Sequence, residues 1–159
     1  MDLRLSTKAE YGLKAMIDIA LQSGEKPVQV IDIARRQNIS RESIAVLMVD
    51  LKRAGLVASV RGPSGGYLLT RESADISIRQ IIEALEGPIG VVLKQKSPRH
   101  GSGAAIHETW RNCLTTLVNS LEETSLESLA KISAPPPSSG KVLSANSNAD
   151  VPEGYVFNI

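Results

Sequence analysis

Residues 59–69 read SVRGPSGGYLL, and they decide the fold because they place an arginine beside a stiff turn. Val57, Ala58, Ser59 and Val60 read as a short strand, and Tyr67, Leu68 and Leu69 as its partner. Between them, Gly62-Pro63-Ser64-Gly65-Gly66 is turn chemistry, in which proline presets φ and glycine accepts positive φ. The stretch therefore predicts a compact β-hairpin with Arg61 near its tip. A hairpin alone has many uses, so its meaning depends on the elements around it.

Working back toward the N-terminus, the pattern predicts a helix over residues 7–22. Thr7 and Glu10 have capping-box spacing, and Leu13, Met16, Ile17, Ala20 and Leu21 make an apolar stripe. A short helix fits 30–36 with Ile33 and Ala34 inward. Gln37-Asn38-Ile39 makes a turn, and Ser40 caps a third helix reaching about Ala54. Ile44, Leu47, Met48 and Leu51 recur at helical spacing on that helix, and Gly55 ends it.

Beyond the hairpin, Ser77 and Gln80 form a capping box for a helix to Glu86, with Ile76 and Ile81 at hydrophobic-staple spacing. Residues 89–104 read as a polar loop, basic at Lys94, Lys96, Arg99 and His100. A longer helix is expected over 105–122, with Trp110, Leu114, Leu117 and Leu121 on one face. The preceding elements already supply a core, so this stripe predicts a dimerisation helix. Packing back onto its own chain is the alternative. A short helix over 124–131, with Thr124 and Glu127 at capping-box spacing, completes a segment 105–132. Residues 133–159 are rich in Pro, Ser, Asn and Gly and predict a flexible tail with an apolar end, Tyr155 to Ile159.

Composition excludes several classes. The 159 residues carry 42% hydrophobic and 22% charged side chains, within the range of soluble globular proteins. No apolar run approaches the ~20 residues of a membrane helix. No signal-peptide core is visible, and one cysteine, Cys113, leaves no intramolecular disulfide, so a cytoplasmic protein is expected. Residues 1–80 hold 12 Lys and Arg against 9 Asp and Glu, while 81–159 hold 6 against 8. That asymmetry is mild. Five aromatic residues are too few for single-strand binding by base stacking. No paired acid and base, phosphate loop or His/Cys metal cluster indicates an enzyme.

Two helices joined by a tight turn and followed by a hairpin make a winged helix-turn-helix. The major groove of B-DNA admits one α-helix, whose N-terminal residues meet base edges. Ser40, Arg41 and Ser43 are the candidate contacts there, and Arg61 the candidate wing contact beside Gly65 and Gly66. Arg35, Arg36, Lys52 and Arg53 are candidate phosphate contacts, which position the protein without specifying sequence. The expected fold is thus mostly α with a small β-hairpin: a DNA-binding domain over 1–88, then the long helix. A winged-helix module acting only through protein partners is the alternative.

The segments LSTKAEYGLKAMIDIA, QVIDIARRQNIS, LKRAGLVASVRGPSGGYLL, IRQIIEALEGPI and TWRNCLTTLVNSLEETSLESLA, spanning about 3–131, resemble the Rrf-two family of bacterial winged-helix transcription regulators. The resemblance implies a homodimer on a palindrome-like stretch of double-stranded DNA, usually as a repressor, with Arg61 at the DNA-contacting wing arginine. Members that hold a [2Fe–2S] cluster do so through three loop cysteines. Here that loop has none; the third cysteine falls at about Ala104, and a ligating histidine matches His107. An iron–sulfur cofactor is therefore not expected, and Cys113 reads as a buried small hydrophobe, with redox sensing as the alternative. Where cluster-binding members carry Glu or Gln to read bases, this chain has Ala45 and Val46.

The cysteine-free loop is closer in type to the family's cysteine metabolism repressor, which acts with cysteine synthase. Tyr155, Phe157 and Ile159 in the terminal GYVFNI are similar to the isoleucine-ending tails that enter the cysteine synthase pocket. Cysteine synthase is accordingly a candidate partner, and packing of the tail on its own protein the alternative.

Overall fold

The computed structural model describes residues 4–22, 26–89 and 100–134. Its first helix, α1 (Thr7–Gln22), is followed by α2 (Val30–Gln37) and α3 (Arg41–Arg53). Strands β1 (Val57–Val60) and β2 (Gly66–Leu69) come next, then a 3-10 turn at Ser73–Asp75 and α4 (Ile78–Glu86). Helices α5 (Ser102–Glu123) and α6 (Leu126–Ser133) complete the described chain. The architecture is mostly helical with one two-stranded antiparallel hairpin.

The core lies where α1, α2, α3 and α4 converge, around Met16, Ile19, Ile33, Ile44, Met48, Leu51 and Ile81, all essentially sealed from solvent. The α3 stripe Ile44, Leu47, Met48 and Leu51 is buried as its spacing predicts. The stripe expected on α1 is rotated. The buried face is Ala9, Gly12, Ala15, Met16 and Ile19, whereas Leu13, Ile17 and Ala20 are half-buried and Leu21 is 41% exposed. The cause is the closeness of α4: a Cβ on Gly12 would stand 2.1 Å from Leu85 Cδ1, so the tightest contact selects the smallest residues. Apolar counting favours large residues and misses this.

Helix α4 has the predicted capping box, with Ser77 and Gln80 exchanging backbone and side-chain hydrogen bonds. Ile76 and Ile81 are both fully buried, as a staple requires. Two other caps differ from the expected ones. Ser6 caps α1 instead of Thr7, accepting from Ala9 N–H at 3.0 Å, while Glu10 pairs with Lys14 at 2.6 Å. Ser125 caps α6 instead of Thr124, accepting from Ser128 N–H at 3.2 Å. Thr124 is held elsewhere, its carbonyl accepting from Ile78 N–H at 2.9 Å as Leu126 N–H donates to Ile76 at 2.8 Å.

That pair of bonds carries the chain after α5 back to the core. Helix α6 then packs on α1 through Leu126 and Ala130, so it completes the core rather than extending an outer arm. Helix α5 starts at Ser102, three residues before the expected position, and α6 runs through Ser133. Most of the expected loop, and Tyr155, Phe157 and Ile159 of the tail, lie outside the described residues.

Candidate nucleic-acid interface

Three residues turn the chain from α2 into α3. Asn38 adopts the left-handed conformation, φ 54° and ψ 47°, which asparagine tolerates better than most side chains. Ile39 N–H then donates to Ala34 carbonyl at 3.0 Å while its side chain enters the core. Ser40 follows as the cap of α3: its Oγ accepts from Ser43 N–H at 3.1 Å and donates to Ser43 Oγ at 2.8 Å. The Ser40 hydroxyl is therefore occupied in holding the helix start, while the Ser43 hydroxyl donates to no acceptor among the described residues.

Two ion pairs join this unit to α1. Asp18, only 3% exposed, accepts from Arg36 Nε at 2.8 Å and Nη2 at 2.7 Å, with Gln37 Nε2 at 3.0 Å. The hydrogen bond to Asp18 raises the Arg36 pKa above its already high ordinary value. Arg36, read from sequence as a phosphate contact, is thus committed to an internal carboxylate. Lys8 plays the matching part for α3, reaching Asp50 at 2.9 Å and Leu85 carbonyl at 2.6 Å. Its hydrogen bond holds the Asp50 carboxyl below the usual carboxylate range. Sequence reasoning overlooked Asp18 and Lys8, although a carboxylate between Ile17 and Ile19 on a packed helix was a signal.

The hairpin pairs Val57 with Leu69 through to Val60 with Gly66. Its tip is a turn closed by Gly65 N–H to Gly62 carbonyl at 3.0 Å, with Pro63 at the second position and Gly62 at φ 118°. Gly65 and Gly66 serve a different purpose from the positive φ expected of them. Added Cβ atoms would stand 2.3 Å from the Val60 carbonyl oxygen and 2.4 Å from that of Val28. The second contact exists because Val28 joins the hairpin edge, exchanging hydrogen bonds of 2.9 and 2.8 Å with Tyr67. The wing is thereby stitched to the start of α2. Lys52 ties it to the end of α3, donating to Ser59 Oγ at 2.7 Å.

Arg41 and Arg61 remain exposed and form no ion pair or hydrogen bond with any described residue. Arg35 pairs with Asp32 and Arg53 with Asp50 along their own helices, yet both arginine side chains stay 76% exposed. Such exposed pairs contribute little stability and exchange readily for another anion. The fold thus joins the elements that carry Arg41, Arg61 and the α3 C-terminal cations through these hydrogen bonds.

Helix α5 contrasts with this unit. Of its 22 residues only Val118 is buried. Leu121 packs on the core and Leu114 is half-buried, while Ile106, Trp110 and Leu117 are 67%, 43% and 48% exposed. Cys113, expected to be buried, is exposed beside Trp110 because this face of the helix has no covering element among the described residues.

The Rrf2 family, described as iron-dependent transcriptional regulators, matches residues 5–132 of the chain. The transcriptional regulator IscR of Xenorhabdus nematophila is 37% identical over 131 residues, covering 81% of this chain and 80% of that protein. Among solved structures, CymR, the global cysteine regulator of B. subtilis, superposes with a TM-score of 0.73 at 36% identity, covering 84% of this chain and all of that one. IscR of T. potens superposes with a TM-score of 0.69 at 36% identity, covering 84% and 90%.

One chain has a single cysteine and two histidines, and no three His, Cys, Asp or Glu side chains converge among the described residues. His107 and Cys113 both lie exposed on α5, and cluster irons require several thiolates. Among the described residues no helix is long and apolar enough to cross a membrane. Its relatives are transcription regulators and not enzymes. With a capped recognition helix, a stitched wing and a match over residues 5–132, this chain belongs to the Rrf2 family of winged-helix, DNA-binding transcription regulators.

Proposed function

We propose that the protein is a homodimeric repressor that binds a palindrome-like operator and controls genes of cysteine and sulfur metabolism without an iron–sulfur cluster. The observation that carries the reading is the pair Arg41 and Arg61, both exposed and neither paired with a carboxylate among the described residues. Arg41 and Ser43 meet the major groove, and Arg61 follows the adjacent groove or backbone. Arg35, Lys52 and Arg53 bind phosphates and hold register. Ser40, Gly65 and Gly66 act by shaping the backbone that presents these groups.

The uncovered α5 stripe supports the dimer. Ile106, Trp110 and Leu117 from two chains bury one another across a two-fold axis, which sets two recognition helices for two half-sites. The likeness to a cysteine regulator and the cysteine-free loop support sulfur control. The apolar terminus Tyr155, Phe157 and Ile159, ending in a carboxylate, suits capture by the amino-acid pocket of cysteine synthase.

Fluorescence anisotropy with DNA from upstream of the protein's own gene tests this reading across a salt series, with and without cysteine synthase. Sequence-selective binding is expected, weakening with a slope of about 0.9 per phosphate neutralised. The enzyme is expected to alter binding only when residues 157–159 are present. Indifference to the enzyme removes the sulfur partner; absence of any selective binding on genomic DNA removes the repressor.

A further inference from the structure

The recognition helix carries more apolar surface toward solvent than its own fold needs. Ile44, Leu47, Met48 and Leu51 already fill its buried face. On the opposite face Ala45 is exposed, and Val46 and Val49 are 62% and 53% exposed. A solvated helix face normally carries polar side chains, and valine is not a helix former that would be placed there for propensity. These three residues lie at i, i+1 and i+4, so they form one patch of methyl groups on the outside of α3.

The surroundings of the patch identify what covers it. Arg41 stands at one end of α3, and Lys52 and Arg53 at the other, all exposed. The apolar centre is thus bracketed by cations, which matches a groove with phosphate walls and a base-edge floor. Glu42, exposed one turn before Val46, fits only the floor, because phosphates repel it and a cytosine amino group donates to it. A protein partner's apolar surface would offer nothing to the charge of Arg41, and nothing beyond the Asp50 and Ser59 contacts to Arg53 and Lys52. The one apolar group on the major-groove floor is the 5-methyl of thymine.

We propose that Ala45, Val46 and Val49 are specificity-determining residues that read thymine methyl groups, so that each half-site places thymines opposite the middle of α3. This inference rests on the DNA-binding reading of α3 and adds what that helix recognises. At these positions selectivity then comes from methyl burial rather than from bidentate hydrogen bonds. An operator that satisfies carboxylate or carboxamide readers at positions 45 and 46 is a poor site for this protein.

The test begins with selection of binding sites from a random duplex library by the full-length protein. Each thymine of the selected site is then replaced singly by deoxyuridine, which removes the methyl group and leaves base pairing intact. At one or two positions per half-site, wild type is expected to lose about fourfold in affinity per methyl, the worth of one buried methyl-sized group. Val46→Ala or Val49→Ala is expected to bind the thymine site more weakly and to lose sensitivity to deoxyuridine at the position that side chain covers. Both side chains are exposed, so thermal melting is expected to be unchanged. Uniform tolerance of deoxyuridine in wild type overturns the proposal, as does undiminished sensitivity in both variants. In either case selective binding itself survives, and with it the DNA-binding reading. Failure to select any site removes that reading and the proposal together.

Discussion

Helices α3 and α5 both expose apolar side chains, yet they expose them under opposite conditions. Helix α3 buries a full stripe within its own chain and shows a small methyl patch between cations. Helix α5 buries one residue in 22 and shows a long stripe that includes a tryptophan. The first arrangement is stable by itself and meets a charged partner. The second leaves large apolar area in water, which a second copy of the same stripe would cover in the proposed dimer. Exposure alone does not define an interface; the charge that frames it decides the partner.

This contrast can be broken by mutation. Met48→Ala, in the sealed face of α3, is expected to cost about 2–5 kcal/mol of folding stability without changing the subunit count. Denaturant titration beside analytical ultracentrifugation checks both halves of that expectation. Leu117→Glu on α5 is expected to do the reverse. It costs ~3 kcal/mol of association, because a two-fold interface loses the leucine twice, and sedimentation shifts to monomer while the fold around α1 to α4 persists. A Leu117→Glu protein that sediments as wild type would show that α5 is covered otherwise.

Smaller effects sharpen the comparison within the DNA-facing unit. Arg61→Ala is expected to lower operator affinity by about 1–3 kcal/mol if the wing reaches a base edge, with thermal stability unchanged. Anisotropy and a melt on the same sample separate the two. Ser40→Ala is expected to cost about 1 kcal/mol of stability through loss of the α3 cap. Its DNA affinity falls through the fraying of the helix start, visible as faster amide exchange at Ser43. A Ser40 variant of normal stability and weak DNA affinity would reassign that hydroxyl to phosphate.

Most of the architecture was legible from residue spacing. The stripe Ile44-Leu47-Met48-Leu51, the box Ser77–Gln80 and the turn Gly62–Gly65 are local patterns, each satisfied within about one helical turn or one hairpin. The tight three-residue turn was likewise readable. Errors fell where a distant element set the local choice. The α1 face was misjudged because Leu85 lies against Gly12, and the caps at Ser6 and Ser125 lie one residue off the more conspicuous threonines.

The sequence by itself determined the helix–turn–helix, the wing, the absence of several thiolates in one chain and the arginine count available for DNA. These follow from residue identity, hydrophobic period and turn chemistry. Only the tertiary structure decided that Arg36 belongs to Asp18, that Gly66 exists for Val28, that Cys113 is exposed and that α6 returns to α1. Those outcomes depend on which elements meet across dozens of residues. Close approach and the pairing of a buried charge are properties of that meeting, and no short window of sequence contains both partners.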